Sequence, residues 1–135
     1  MTVRKPRINK KSKHQRDRIF VVQKHWARNL HYDFRLEMHG TLWSWAVPKG
    51  VPLVKGQRRL AMRTENHAKA YAGFEGVIPE GKYGAGRVKI WDKGTYSVVE
   101  KTKNKIVINF KGKKLKGEYC LVMFRPPKNW LFFKK

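Results

Sequence analysis

Residues 20–37 (FVVQKHWARNLHYDFRLE) alternate apolar and polar side chains on both sides of a short break, and that period of two specifies a β-hairpin. Segments 20–25 and 31–37 form the strands, with 26–30 as a five-residue loop. Setting His25 opposite His31 places Gln23 opposite Asp33 and Val21 opposite Arg35. Alternation then gathers Gln23, His25, His31, Asp33 and Arg35 on one face, and Phe20, Val22, Tyr32, Phe34 and Leu36 on the other. Directly opposed side chains lie about 4.5–5.5 Å apart at Cβ, close enough for two imidazoles to share one cation. The apolar face is the core, and the polar face is a candidate active site.

The rest of the chain keeps the same grammar. Residues 37–41 form a tight turn in which Gly40 is free to take positive φ. A strand follows at 42–47, broken at 48–50 by Pro-Lys-Gly. Another alternating run spans 59–65. Residues 66–86, rich in Gly, Pro and Ala with a weak helical hint at 68–71, read as a long functional loop. Strands are expected at 87–91, 95–101, 105–110, 118–124 and 130–133, with turns at 92–94 and 102–104. There is no internal repeat. The predicted fold is all-β, a small antiparallel β-barrel of short strands with long loops, a sandwich being the alternative.

Charge narrows the function classes. The 135 residues carry 32 Lys+Arg against 9 Asp+Glu, a formal net charge of +23. Such a surface repels itself and calls for a polyanionic partner, with nucleic acid ahead of an acidic membrane surface. No apolar run approaches the roughly 20 residues needed to span a bilayer. Residues 1–18 hold eight Lys/Arg, one acid and no apolar stretch, so they read as a disordered or weakly ordered basic arm rather than a secretory signal. Residues 19–135 form the barrel domain. Cys120, the single cysteine, lies in the apolar run 119–124; it reads as a core thiol and fits a reducing, cytoplasmic setting.

Two imidazoles and a carboxylate suit Mn²⁺, Zn²⁺ or Fe²⁺ and leave coordination positions open for water or a substrate oxygen. The competing reading is a polar sheet face whose histidines and aspartate bond only to one another. Arg35 is either an ion-pair partner for Asp33 or a clamp for a substrate oxyanion, and its planar donor fork favours the clamp.

The same residues resemble the 3′-phosphoesterase family, the end-healing module of bacterial DNA ligase D and its stand-alone relatives. The resemblance runs through 20–37, 44–50 (SWAVPKG), 71–94 (YAGFEGVIPEGKYGAGRVKIWDKG) and the closing Trp130–Leu131, covering nearly everything after the arm. It implies a manganese-dependent hydrolase that removes a 3′-terminal ribonucleoside and then the 3′-phosphate, leaving a 3′-hydroxyl. Its substrate would be a primer–template duplex, and a separate DNA ligase and polymerase would be possible partners. By the same resemblance His25, His31 and Asp33 are metal ligands, and Arg35 and Gln23 contact the phosphate and the metal shell. His67 and Tyr71 engage the phosphate, and Lys49, Arg59 and Glu65 match further active-site positions. The family's acidic, proline-containing stretch before the first strand has no counterpart in 12–18 (SKHQRDR).

Other motifs are weaker. Residues 81–86 (GKYGAG) lack both the Walker spacing and the third glycine of a dinucleotide fingerprint, and so read as a tight turn. The seven lysines of 101–116 read as solvated strand faces. Trp43 and Trp45 share a strand face and place at least one ring in the core, whereas Trp26 sits beside the site and is a candidate substrate contact. A non-catalytic nucleic-acid-binding barrel and an Fe(II) oxygenase built on His31, Asp33 and His67 are the competing functions.

Overall fold

The computed structural model describes residues 18–135. Nine strands follow in order: β1 (Arg18–Trp26), β2 (Leu30–Met38), β3 (Thr41–Val47), β4 (Arg58–Ala68), β5 (Gly76–Ile78), β6 (Gly86–Lys101), β7 (Lys105–Lys111), β8 (Lys116–Arg125) and β9 (Asn129–Lys134). A 3-10 helix, Lys69–Gly73, lies between β4 and β5. All pairings are antiparallel, in the order β1-β2-β3-β4-β9-β8-β7-β6, and a β1–β6 pairing closes the circle. The fold is therefore an eight-stranded barrel, with β5 added to the first residues of β6. Closure satisfies the edges that a short open sheet would expose.

The interior is filled by the apolar halves of the alternating strands. Phe20, Val22, Phe34, Leu36 and Trp45 meet Tyr96, Ile108, Phe110, Tyr119 and Phe132. Phe34 stacks on Phe132 with ring centroids 4.7 Å apart, and Phe20 meets Phe110 edge-on at 4.8 Å. Trp45 is fully buried, with Trp43 half-buried against the same cluster, and Cys120 is buried. A second, smaller apolar cluster lies outside the barrel wall, where Val21 and Leu42 are covered by Ala72 and Tyr71 of the 3-10 helix segment. That outer cluster positions the site.

Three expectations are corrected. Residues 92–94 are not a turn, because β6 runs unbroken for 16 residues. The Gly and Asp that suggested a turn serve the barrel instead. Val22 and Gln23 face Asp92 and Ile90, making Trp91 the extra residue of a bulge that turns Asp92 toward the 112–115 loop. There the Asp92 carboxylate accepts the backbone N–H groups of Lys113, Lys114 and Leu115 at 2.8–3.0 Å. At Gly94 a Cβ would sit 2.3 Å from the Lys111 carbonyl oxygen, so only glycine allows the strands to approach there. Second, residues 66–86 are not one loop: β4 continues to Ala68, and the 3-10 helix and β5 follow. Third, the first hairpin loop is residues 27–29, shorter than the expected five, because Trp26 and Leu30 still pair. Arg18, assigned by sequence to the arm, opens β1 opposite Tyr96; the rest of that expectation lies outside the described residues. Among the described residues no helix is long and apolar enough to cross a membrane.

Asp92→Ala would strand several loop N–H groups at once. It is expected to lower the unfolding free energy by about 2–4 kcal/mol, read from urea denaturation.

Candidate metal centre and phosphate pocket

The β1–β2 register pairs His25 with His31, Gln23 with Asp33 and Val21 with Arg35, as the alternation requires. All five polar residues point away from the barrel interior, onto the outer wall. His25, Asp33 and Arg35 are nonetheless buried, and Gln23 is completely so, because the 3-10 helix segment and the 79–86 loop cover them.

The donor atoms of His25, His31 and Asp33 lie within 4.8 Å of one another. His25 Nδ1 is 3.0 Å from Asp33 Oδ2, and its Nε2 is 2.8 Å from the Gly84 carbonyl oxygen. His31 Nε2 is 3.1 Å from Asp33 Oδ1, and its Nδ1 is 3.0 Å from the Asn29 carbonyl oxygen. Each ring thus faces an oxygen acceptor from both nitrogens, whereas a neutral imidazole has only one N–H to give. If the N–H groups go to the two carbonyls, the remaining lone pairs converge on the Asp33 carboxylate, and a cation between them removes the repulsion. Metal-bound histidines have this arrangement, with the outer N–H held by a carbonyl and the inner lone pair free to coordinate. The donor set therefore fits a divalent ion. Burial opposes ionisation of Asp33, but hydrogen bonds from His25 and His31 and the charge of Arg35 outweigh it and hold the carboxyl far below its ordinary range. The hydrogen bond to Asp33 raises His31 above the usual imidazole value, against burial.

Arg35 is fixed on three sides. Its Nε donates to Gln23 Oε1 at 2.7 Å, and its Nη1 donates to Ser44 Oγ at 2.8 Å and to His67 Nδ1 at 3.2 Å. Its Nη2 lies 3.7 Å from Asp33 Oδ2, too long for a tight ion pair, so that nitrogen keeps capacity for an oxyanion. Gln23 has spent its own capacity, since its Nε2 donates to the carbonyls of Tyr71 and Phe74 at 2.9 and 3.2 Å. It is a positioning residue that ties Arg35 to the covering segment.

His67 reaches the site through a bulge. Leu42 faces His67 while Ser44 faces Thr64, so β4 spends three steps against two on β3, and His67 turns outward onto the Arg35 side. Because Arg35 can only donate, its bond to Nδ1 leaves the His67 proton on Nε2. Burial and the neighbouring Arg35 charge both lower the His67 pKa, favouring that neutral tautomer. Tyr71 packs on His67 with ring centroids 4.8 Å apart and lies 5.0 Å from the Arg35 guanidinium.

These groups line one cavity of about 310 Å3, walled also by Thr64, Ile78, Tyr83 and Gly84. Lys49, Arg59 and Glu65 do not line it. Lys49 is exposed after β3, Arg59 Nε donates to the Gly50 carbonyl at 3.2 Å, and Glu65 is an exposed residue of the bulge whose carbonyl lies 3.1 Å from His67 Nδ1. His67 lies apart from the three-donor cluster, which leaves the oxygenase triad unassembled. Sequence reasoning missed Ser44 and the Gly84 carbonyl. Ser44 had a signal, as a small polar residue between two tryptophans on the site-facing side of its strand. The Gly84 carbonyl had none beyond a glycine at φ +77°.

Residues 23–123 match the family model for the DNA ligase D 3′-phosphoesterase domain. The chain belongs to this family. It is 48% identical over 107 residues to the multifunctional non-homologous end joining protein LigD of Mycobacterium bovis, covering 76% of this chain and 14% of that protein. Against the LigD proteins of Mycolicibacterium smegmatis and Pseudomonas aeruginosa the identities are 45% over 123 residues and 47% over 108, covering 83% and 76% of this chain and 16% and 13% of theirs. The chain thus spans about one-seventh of the length of these 3′-phosphoesterase-containing relatives.

Proposed function

We propose that the chain is a metal-dependent 3′-end-healing phosphoesterase of DNA repair by non-homologous end joining. It removes a 3′-terminal ribonucleoside by phosphodiester hydrolysis and then the resulting 3′-phosphate. The observation that carries this reading is the convergence of the His25 and His31 lone pairs on Asp33 beside the open Nη2 of Arg35. Family membership and the +23 charge, suited to a phosphate polymer, support it.

His25, His31 and Asp33 would hold the ion, manganese in this reading with zinc as the alternative, and it would supply Lewis-acid charge next to the reacting phosphate. The chain's own residues do the rest. Arg35 Nη2 donates to a non-bridging phosphate oxygen, held ready by Gln23 and Ser44 and needing no reorganisation as charge develops. Water attacks phosphorus as the bond to the nucleoside O5′ breaks, and the His67 Nε2 proton passes to that departing oxygen. Tyr71 keeps the His67 ring in place. A second hydrolysis releases inorganic phosphate and leaves a 3′-hydroxyl on which a ligase or polymerase can act.

The test is a 5′-labelled primer–template ending in one ribonucleotide, incubated with the protein and Mn²⁺. The expected products are a strand one nucleoside shorter with a 3′-phosphate, then the same strand with a 3′-hydroxyl, and chelation should stop both. A primer that is bound but unchanged would favour the non-catalytic barrel.

A further inference from the structure

A second, open-sided cavity of about 530 Å3 adjoins the first, and the two share Ala27 and Gly84 as walls. Gly84 is the partition between them. Its carbonyl holds His25 Nε2 on one side, and its chain continues into the wall of the second cavity on the other. Trp26, Arg28 and Glu80 complete the lining. The loop cannot drift from this position, because a Cβ at Gly86 would lie 2.1 Å from the Trp26 carbonyl oxygen. The Trp26 ring carries the Arg87 guanidinium at 4.6 Å from its centroid, which extends the planar wall.

Glu80 is the informative residue. Asp33, Glu37, Glu75, Asp92, Glu100 and Glu118 all hold a cation or a backbone N–H. Glu80 does neither with any described residue, although the chain has a large surplus of Lys and Arg. An unpaired carboxylate beside a phosphate pocket opposes the binding of a polyanion, so its fitting partner is a neutral hydroxyl donor. A flat apolar wall, a volume within the roughly 300–1,000 Å3 of ligand pockets and one hydroxyl-accepting carboxylate together describe a seat for a nucleoside.

Resting on the function proposed above, we infer that this second cavity seats the terminal nucleoside that the first hydrolysis releases. Glu80 accepts hydrogen bonds from its vicinal 2′- and 3′-hydroxyls, and Trp26 flanks its base. A carboxylate reads a ribose in this way because a deoxyribose lacks the 2′ donor. The seat serves only the first hydrolysis: once the nucleoside has left, the 3′-phosphate strand has nothing to place there.

The experiment compares wild type and Glu80→Gln on three primer–templates, ending in a ribonucleotide, a deoxyribonucleotide or a 3′-phosphate. In the variant the ribo-to-deoxy ratio of kcat/KM is expected to fall at least about tenfold, while 3′-phosphate removal stays within about twofold of wild type. Trp26→Ala should raise KM for nucleoside removal and leave 3′-phosphate removal in place. An unchanged ratio in a Glu80→Gln protein that still removes 3′-phosphate overturns the assignment, as does an equal loss of all three reactions. A wild-type protein inactive on every substrate would instead sink the proposed function itself.

Discussion

Asp33→Asn is expected to lower both hydrolyses more than about a hundredfold, beyond the 10–100-fold that loss of an outer partner of a metal site costs. The substitution keeps the shape and one acceptor oxygen but removes the charge on which the His25 and His31 lone pairs converge. Calorimetric titration with Mn²⁺ should show stoichiometric binding in the wild type and none in the variant. The fold should suffer too. Arg35 and His31 lose the anion between them, and removing one partner of a buried charge pair costs about 3–5 kcal/mol. Full activity in a folded Asp33→Asn protein would remove the metal from the mechanism.

Arg35→Lys should separate the phosphate clamp from the metal. Lysine keeps the positive charge but brings a single ammonium to a position where three guanidinium nitrogens are engaged. Activity is expected to fall about a hundredfold or more, as when one preorganised donor to a developing oxyanion is lost. Manganese binding should persist, because His25, His31 and Asp33 are untouched. Gln23 and Ser44 would lose buried partners, so the unfolding free energy should drop by about 2–4 kcal/mol. Activity retained with intact metal binding would show that another cation contacts the phosphate.

The site was legible in the sequence to the extent that it is local. Strand periodicity alone sets the 25–31, 23–33 and 21–35 pairings, because a one-residue slip would have put Phe20 and Phe34 in solvent. Family resemblance added His67 and Tyr71, which no local pattern ties to Arg35. The bulge that turns His67 outward depends on β3 and β4 counting differently, and this is a property of the pair rather than of either strand. The Gly84 carbonyl reaches His25 across 59 residues, so its role exists only once β6 has closed the barrel. Residues 92–94 misled because Asp and Gly serve turns and crowded strand crossings equally well. There the deciding facts were the 112–115 loop that Asp92 caps and the Lys111 backbone that Gly94 admits.

Because the reactive side chains project from the convex exterior of a plugged cylinder, the end of a polymer need not thread into any channel to reach them. A stiff double-stranded terminus can be approached sideways, with only its last residue dipping into the cleft while the bulk of the duplex stays in solvent. The packing of the interior and the shape of the reactive surface are also free to vary independently, since they occupy opposite sides of one sheet.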